Sequence, residues 1–144
     1  GLAAIITEQD DSVLEALNLY GMHLGTAFQL VDDVLDYNAD ADQLGKNIGD
    51  DLAEGKPTLP LIYAMQHGSE HQTQLIRGAI EHCNGMEHLD EILAALKHTN
   101  ALEFTMEKAE QEAEKAIACL DCLAESSYKQ ALISLARIAV DRDH

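Results

Sequence analysis

Apolar residues recur at three- and four-residue steps along most of the chain, the period of one helix face. Over residues 10–37 the series runs Val13, Leu14, Leu17, Leu24, Phe28, Val31 and Leu35, and the spacing predicts a long helix. Asp10, Asp11 or Ser12 can cap its start, with Glu15 three residues after Ser12 completing a capping box. Gly21 and Gly25 lie one turn apart inside it. Each costs up to about 1 kcal/mol relative to Ala, so a close approach by another helix or a ligand would account for them.

The pattern then breaks. Residues 38–60, NADADQLGKNIGDDLAEGKPTLP, form no convincing amphipathic helix and are long for an ordinary connection. Such loops are often functional. Pro57 suits the opening of the next helix, which carries Leu59, Leu61, Ile62 and Met65 up to Gly68. Further helices are predicted over 70–83, with Leu75, Ile76, Ala79 and Ile80 as the apolar face, and over 86–99 after the Asn84-Gly85 turn signal. Two more cover 101–125, heavily charged on one side, and 127–142. No strand pattern competes and no internal repeat is present, so the expected class is all-α.

Composition supports one globular domain: 144 residues, 47% of them hydrophobic, with two Phe, four Tyr and no Trp. The formal net charge is −17, from 26 acids against nine Lys and Arg. That argues against nucleic acid or an anionic bilayer as a general partner, since binding there needs a basic surface. It leaves room for a local phosphate site, where metal ions invert the field. Three cysteines in no disulfide-rich spacing fit a reducing compartment. With no apolar run long enough to span a membrane, the expectation is a cytoplasmic protein. The opening GLAAIIT reads as the last turns of a helix whose beginning lies outside this chain.

The charge pattern adds chemistry at one place. FQLVDDVLDY, residues 28–37, sets three carboxylates in an apolar run. Gln29, Asp32 and Asp36 share a helix face, with Gly21 and Gly25 continuing the stripe and Asp33 rotated away. Carboxylates one turn apart repel, and a divalent cation turns that cost into binding. Mg2+ is typically held by one or two carboxylates plus substrate phosphates. The following loop supplies Lys46 and Lys56, after Gly45 and Gly55. Together these are the parts of a magnesium–diphosphate site.

GTAFQLVDDVLDY (25–37) followed by LGKNIGDDLAEGKPTLPLIYAM (44–65) resembles the second aspartate-rich region of the trans-isoprenyl diphosphate synthases, most closely the bacterial octaprenyl diphosphate synthases that supply the ubiquinone side chain. The similarity continues through EKAEQEAEKAIACL (107–120) and ALISLARIAVDRD (131–143). It implies an isoprenoid synthase helical bundle and a prenyltransferase that condenses isopentenyl diphosphate head-to-tail with an allylic diphosphate such as farnesyl diphosphate. By this resemblance Asp32 and Asp36 bind Mg2+, and Asp33 supports the site through a neighbouring ligand or water. Lys46 contacts the allylic diphosphate and Lys56 adds positive charge. Phe28 and Gln29 border the pocket, which Gly25 lets the helix approach.

The family's first aspartate-rich motif and its accompanying basic residues are not matched; the only arginines are Arg77, Arg137 and Arg142. The expectation is therefore the C-terminal half of a synthase domain. Alone it is expected to bind magnesium and diphosphate weakly, not to turn over, and to form a homodimer or self-associate through exposed helix faces. The alternative is a non-catalytic helical subunit or regulatory protein of the same ancestry. Cys119 and Cys122 lack two further ligands for zinc and read as core or half-buried thiols. His67, His71 and His82 read as surface or helix-terminal residues.

Overall fold

The computed structural model describes residues 8–37 and 49–141. Seven α-helices occur among them: α1 (Glu8–Leu35), α2 (Asp50–Ala53), α3 (Leu59–His67), α4 (Glu70–His82), α5 (Leu89–Thr99), α6 (Ala101–Ala118) and α7 (Ser127–Ala139). Single 3-10 turns at Gly85–His88 and Cys119–Cys122 precede α5 and follow α6. No described residue is in a strand. No described helix is long and apolar enough to cross a membrane.

The contacts divide the chain into two compact units, Leu30–Glu107 and Gly1–Gln29 with Lys108–His144. In Leu30–Glu107 the core gathers Leu52, Leu61, Ile76, Ile92 and Leu96, all essentially without solvent exposure. Each such aliphatic side chain contributes about 1.5–3 kcal/mol of burial. Local signals set the helix ends. Ser69 accepts from the Gln72 N–H at 3.2 Å while the Ser69 N–H donates to Gln72 Oε1 at 2.9 Å, a reciprocal cap that starts α4. Asn100, with a φ of 57°, turns the chain from α5 directly into α6. Tyr63 stacks on Phe104, ring centroids 4.0 Å apart.

The other unit is built on small residues. Ala116, Ala136 and Ala139 are buried with Tyr20, Leu24 and Leu120, and the Tyr20 hydroxyl donates to the Leu132 carbonyl at 2.7 Å. Acidic residues of α6 serve as partners here. Glu112 lies 3.1 Å from His23 Nδ1 and 3.0 Å from Lys115 Nζ.

Several expectations are corrected. The cap placed at Asp10, Asp11 or Ser12 is not one, because α1 already runs from Glu8 and a capping residue needs non-helical dihedrals. Leu14 and Phe28 belong to the apolar series yet are 54% and 47% exposed, while Ala16, Tyr20, Leu24 and Ala27 form the buried face. Small residues carry that face, so large apolar residues alone misplace it. Helix α3 starts at Leu59 with Pro60 in its first turn, so Pro57 precedes the helix. Helix α6 ends at Ala118, not at 125, and tightens into a 3-10 turn. No other helix among the described residues comes close to Gly21 or Gly25, which leaves the ligand as the remaining account of the two glycines.

Candidate functional site: the end of α1 and the α2 segment

Asp32 and Asp33 sit in the last turn of α1, and Asp36 extends it by donating its N–H to the Asp32 carbonyl at 3.1 Å. The three carboxylates meet different surroundings. Asp32 is partly exposed, whereas Asp33 and Asp36 are buried. Tyr37 follows, also buried, and its phenol titrates far above the usual range because of burial and, next, the Asp36 charge.

The chain re-enters the described region at Gly49, which donates its N–H to the Asp36 carbonyl at 2.8 Å. Its φ of 86° is a left-handed conformation that L side chains seldom adopt. Helix α2 begins here, and the Asp51 N–H donates to both oxygens of the Asp36 carboxylate, 3.2 Å to each. This amide is among the first of a helix and has no partner within it, and a carboxylate there is also favoured by the helix dipole. Burial pushes the Asp36 carboxyl above its ordinary range; the Asp51 N–H opposes that shift, and the Asp51 and Asp50 charges add to it. Leu52 fixes the other side of α2, fully buried and packed on Gly85.

Gly55 ends the segment with a φ of 73°. A methyl group there would lie 2.7 Å from the Ile80 carbonyl oxygen and 2.9 Å from Cys83 Sγ, so the loop rests against the C-terminal end of α4. Lys56 follows directly. Its N–H donates to the Asp51 carbonyl at 3.0 Å, and its Nζ lies 3.0 Å from Glu54 Oε2 and 3.4 Å from Asp51 Oδ1. The Glu54 hydrogen bond, followed by the Asp51 bond, raises the Lys56 pKa. Its side chain remains 57% exposed.

Asp32, Asp33, Asp36 and Lys56 thus share one unit, whereas Gly25, Phe28 and Gln29 belong to the other. Lys46 lies outside the described residues. Among the described residues, no group of three or more His, Cys, Asp or Glu side chains is placed to hold a metal ion. Asp51 was not among the expected site residues. Its only signal in the sequence is its place in the GDDL run.

Residues 1–99 match the polyprenyl synthetase family. The chain belongs to that family. Octaprenyl diphosphate synthase of Haemophilus influenzae is 54% identical over 142 residues, covering 99% of this chain and 43% of that protein. A polyprenyl synthase of Caulobacter crescentus, solved with calcium and isoprenyl diphosphate, superposes with a TM-score of 0.83 at 36% identity, over 96% of this chain and 42% of that one. A geranylgeranyl pyrophosphate synthase of Corynebacterium glutamicum, solved with isoprenyl diphosphate and magnesium, gives a TM-score of 0.78 at 31% identity, over 94% of this chain and 38% of that one. The expected all-α polyprenyl synthase fold is therefore the observed one. The chain spans less than half the length of these relatives.

Proposed function

We propose that residues 1–144 supply the C-terminal part of a polyprenyl diphosphate synthase, of the octaprenyl type, that condenses isopentenyl diphosphate with an allylic diphosphate. The observation that carries this reading is one connected arrangement in a polyprenyl synthetase chain. The carboxylate-bearing end of α1 is hydrogen-bonded to the α2 segment, and that segment presents an exposed lysine.

The donor set fits a shared magnesium site better than a protein-only one. Mg2+ accepts one or two carboxylates completed by phosphate oxygens and water, so a cluster of three protein ligands is not required. Asp32, the partly exposed carboxylate, is the residue that would hold it. When bound, the ion neutralises charge on the diphosphate. Lys56 contributes fixed positive charge where the leaving diphosphate gains negative charge, and on the resemblance Lys46 adds a second cation. In the reaction the allylic C–O bond breaks and its electron pair leaves with diphosphate. The isopentenyl double bond forms the new C–C bond, and loss of a proton to the departing diphosphate restores an alkene.

A chimera tests this reading: residues 1–144 replace the matched part of the Haemophilus influenzae synthase. With labelled isopentenyl diphosphate, farnesyl diphosphate and MgCl2, the chimera is expected to form long prenyl diphosphates, and Asp32→Ala to reduce the rate by at least about a hundredfold. A folded chimera without activity, or one indifferent to Asp32→Ala, contradicts the proposal.

A further inference from the structure

Asp36 is spaced like a metal ligand, but its contacts assign it other work. It is 2% exposed, and both carboxylate oxygens accept the Asp51 N–H at 3.2 Å. The single N–H is shared between the two oxygens of an anion, and withdrawing that acceptor would leave a helix-start amide without a partner. The main chain adds a second tie, because the Asp36 carbonyl accepts from the Gly49 N–H at 2.8 Å.

Asp51, the residue held by Asp36, in turn holds Lys56 at two points. Its carbonyl accepts the Lys56 N–H at 3.0 Å, and its carboxylate lies 3.4 Å from Lys56 Nζ. The two links together span only three residues. They connect a buried anion at the end of α1 to an exposed cation after α2.

We infer that Asp36 is a positioning residue: its carboxylate anchors the start of α2 and, through Asp51, sets the place of Lys56, while magnesium falls to Asp32. The part concerning Lys56 and magnesium rests on the function proposed above; the anchoring of α2 does not. In polyprenyl chemistry the arrangement separates two jobs that the spacing of Asp32 and Asp36 suggests they share. One carboxylate meets the ligand, and the other keeps the neighbouring cation in register.

Two measurements on the 144-residue chain test this. Amide hydrogen exchange is compared in wild type, Asp36→Asn and Asp36→Ala. Loss of the charged acceptor in Asp36→Ala is expected to speed exchange at Asp51 by about tenfold or more, with the Ile76 and Leu96 amides unchanged. Asp36→Asn, which keeps one oxygen acceptor, is expected to give an increase of about threefold. The Asn variant decides the matter if the Ala variant does not fold. Unchanged Asp51 exchange in a folded Asp36→Ala, or in Asp36→Asn when the Ala variant does not fold, overturns the inference.

Side-chain carboxylate NMR is then followed while MgCl2 and inorganic diphosphate are added. A shift at Asp32 with Asp36→Asn leaving the apparent magnesium affinity within about threefold is expected, against a loss of about tenfold or more in Asp32→Asn. An equal loss in the two Asn variants overturns the inference. If no carboxylate responds in wild type, the magnesium reading fails, and the exchange data still decide whether Asp36 anchors α2.

Discussion

Two lysines show how differently the two units use charge. Lys129, at the start of α7, has a side chain only 11% exposed. Its Nζ donates to the Leu123 carbonyl at 3.2 Å and to Glu125 Oε1 at 3.0 Å, tying the chain before α7 to the helix. Lys56 also pairs with nearby carboxylates, those of Asp51 and Glu54, but its side chain is 57% exposed and its backbone N–H is bonded to the Asp51 carbonyl. A buried cation bonded to a backbone carbonyl and to a carboxylate four residues before it is structural. An exposed one held in register by its backbone faces solvent, where the function proposed here has an incoming anion meet it.

That contrast breaks most visibly at Lys56. In the chimeric synthase, Lys56→Ala is expected to lower the prenyl transfer rate by about a hundredfold while shifting the urea midpoint of the 144-residue chain very little, because solvent screens exposed ion pairs. Lys129→Ala is expected to behave in the opposite way. It removes two charged hydrogen bonds and costs about 1.5–3 kcal/mol in urea unfolding, with magnesium–diphosphate binding unchanged. If the two variants lose stability equally, the distinction between the lysines does not hold.

A smaller effect sharpens the comparison at the hinge of the Lys56 loop. Gly55→Ala forces an L residue into left-handed dihedrals beside the Ile80 carbonyl and Cys83, and about 1–2 kcal/mol of destabilisation is expected. Thermal unfolding of the variant measures it. The smallest effect belongs to the other unit and depends on pH. The hydrogen bond with His23, then that with Lys115, holds the Glu112 carboxyl below its ordinary value of 4.5. The folded value is the lower one, so this stabilisation is fully present above the unfolded value and is lost as pH falls through the folded one. Comparing wild type with Glu112→Gln in urea, the gap is expected to be at most about 1 kcal/mol at pH 6 and to close as pH falls through the lowered folded value. A gap that grows with acid contradicts the sign.

The longer helices could be read from the chain because α3 to α7 repeat apolar residues over several turns, and tertiary packing follows that period. The acid group at the end of α1 and the Lys56 loop stood out for two other reasons: carboxylates one turn apart share a helix face ahead of a Gly-Lys loop, and their order resembles a known family. Helix α2 was not legible. Four residues with Leu52 as the buried anchor cannot establish a period, and the acceptor of the Asp51 amide lies 15 residues away. Nor could spacing separate Asp32 from Asp36, which share a face in any helix but differ in burial once α2 closes over one of them. The exposed positions of Leu14 and Phe28 escaped for a related reason, since the pattern counts apolar residues without showing which face the alanines open to packing.

The most direct test of the central claim, that Asp32 and Lys56 form a magnesium–diphosphate site, is calorimetric titration of the 144-residue chain. MgCl2 and inorganic diphosphate are added together to wild type, Asp32→Ala, Lys56→Ala and Lys129→Ala. The expected result is magnesium-dependent binding that weakens by about tenfold or more in Asp32→Ala and Lys56→Ala and persists in Lys129→Ala. Absence of binding in the folded wild type, or binding unweakened in Asp32→Ala and in Lys56→Ala, would contradict it.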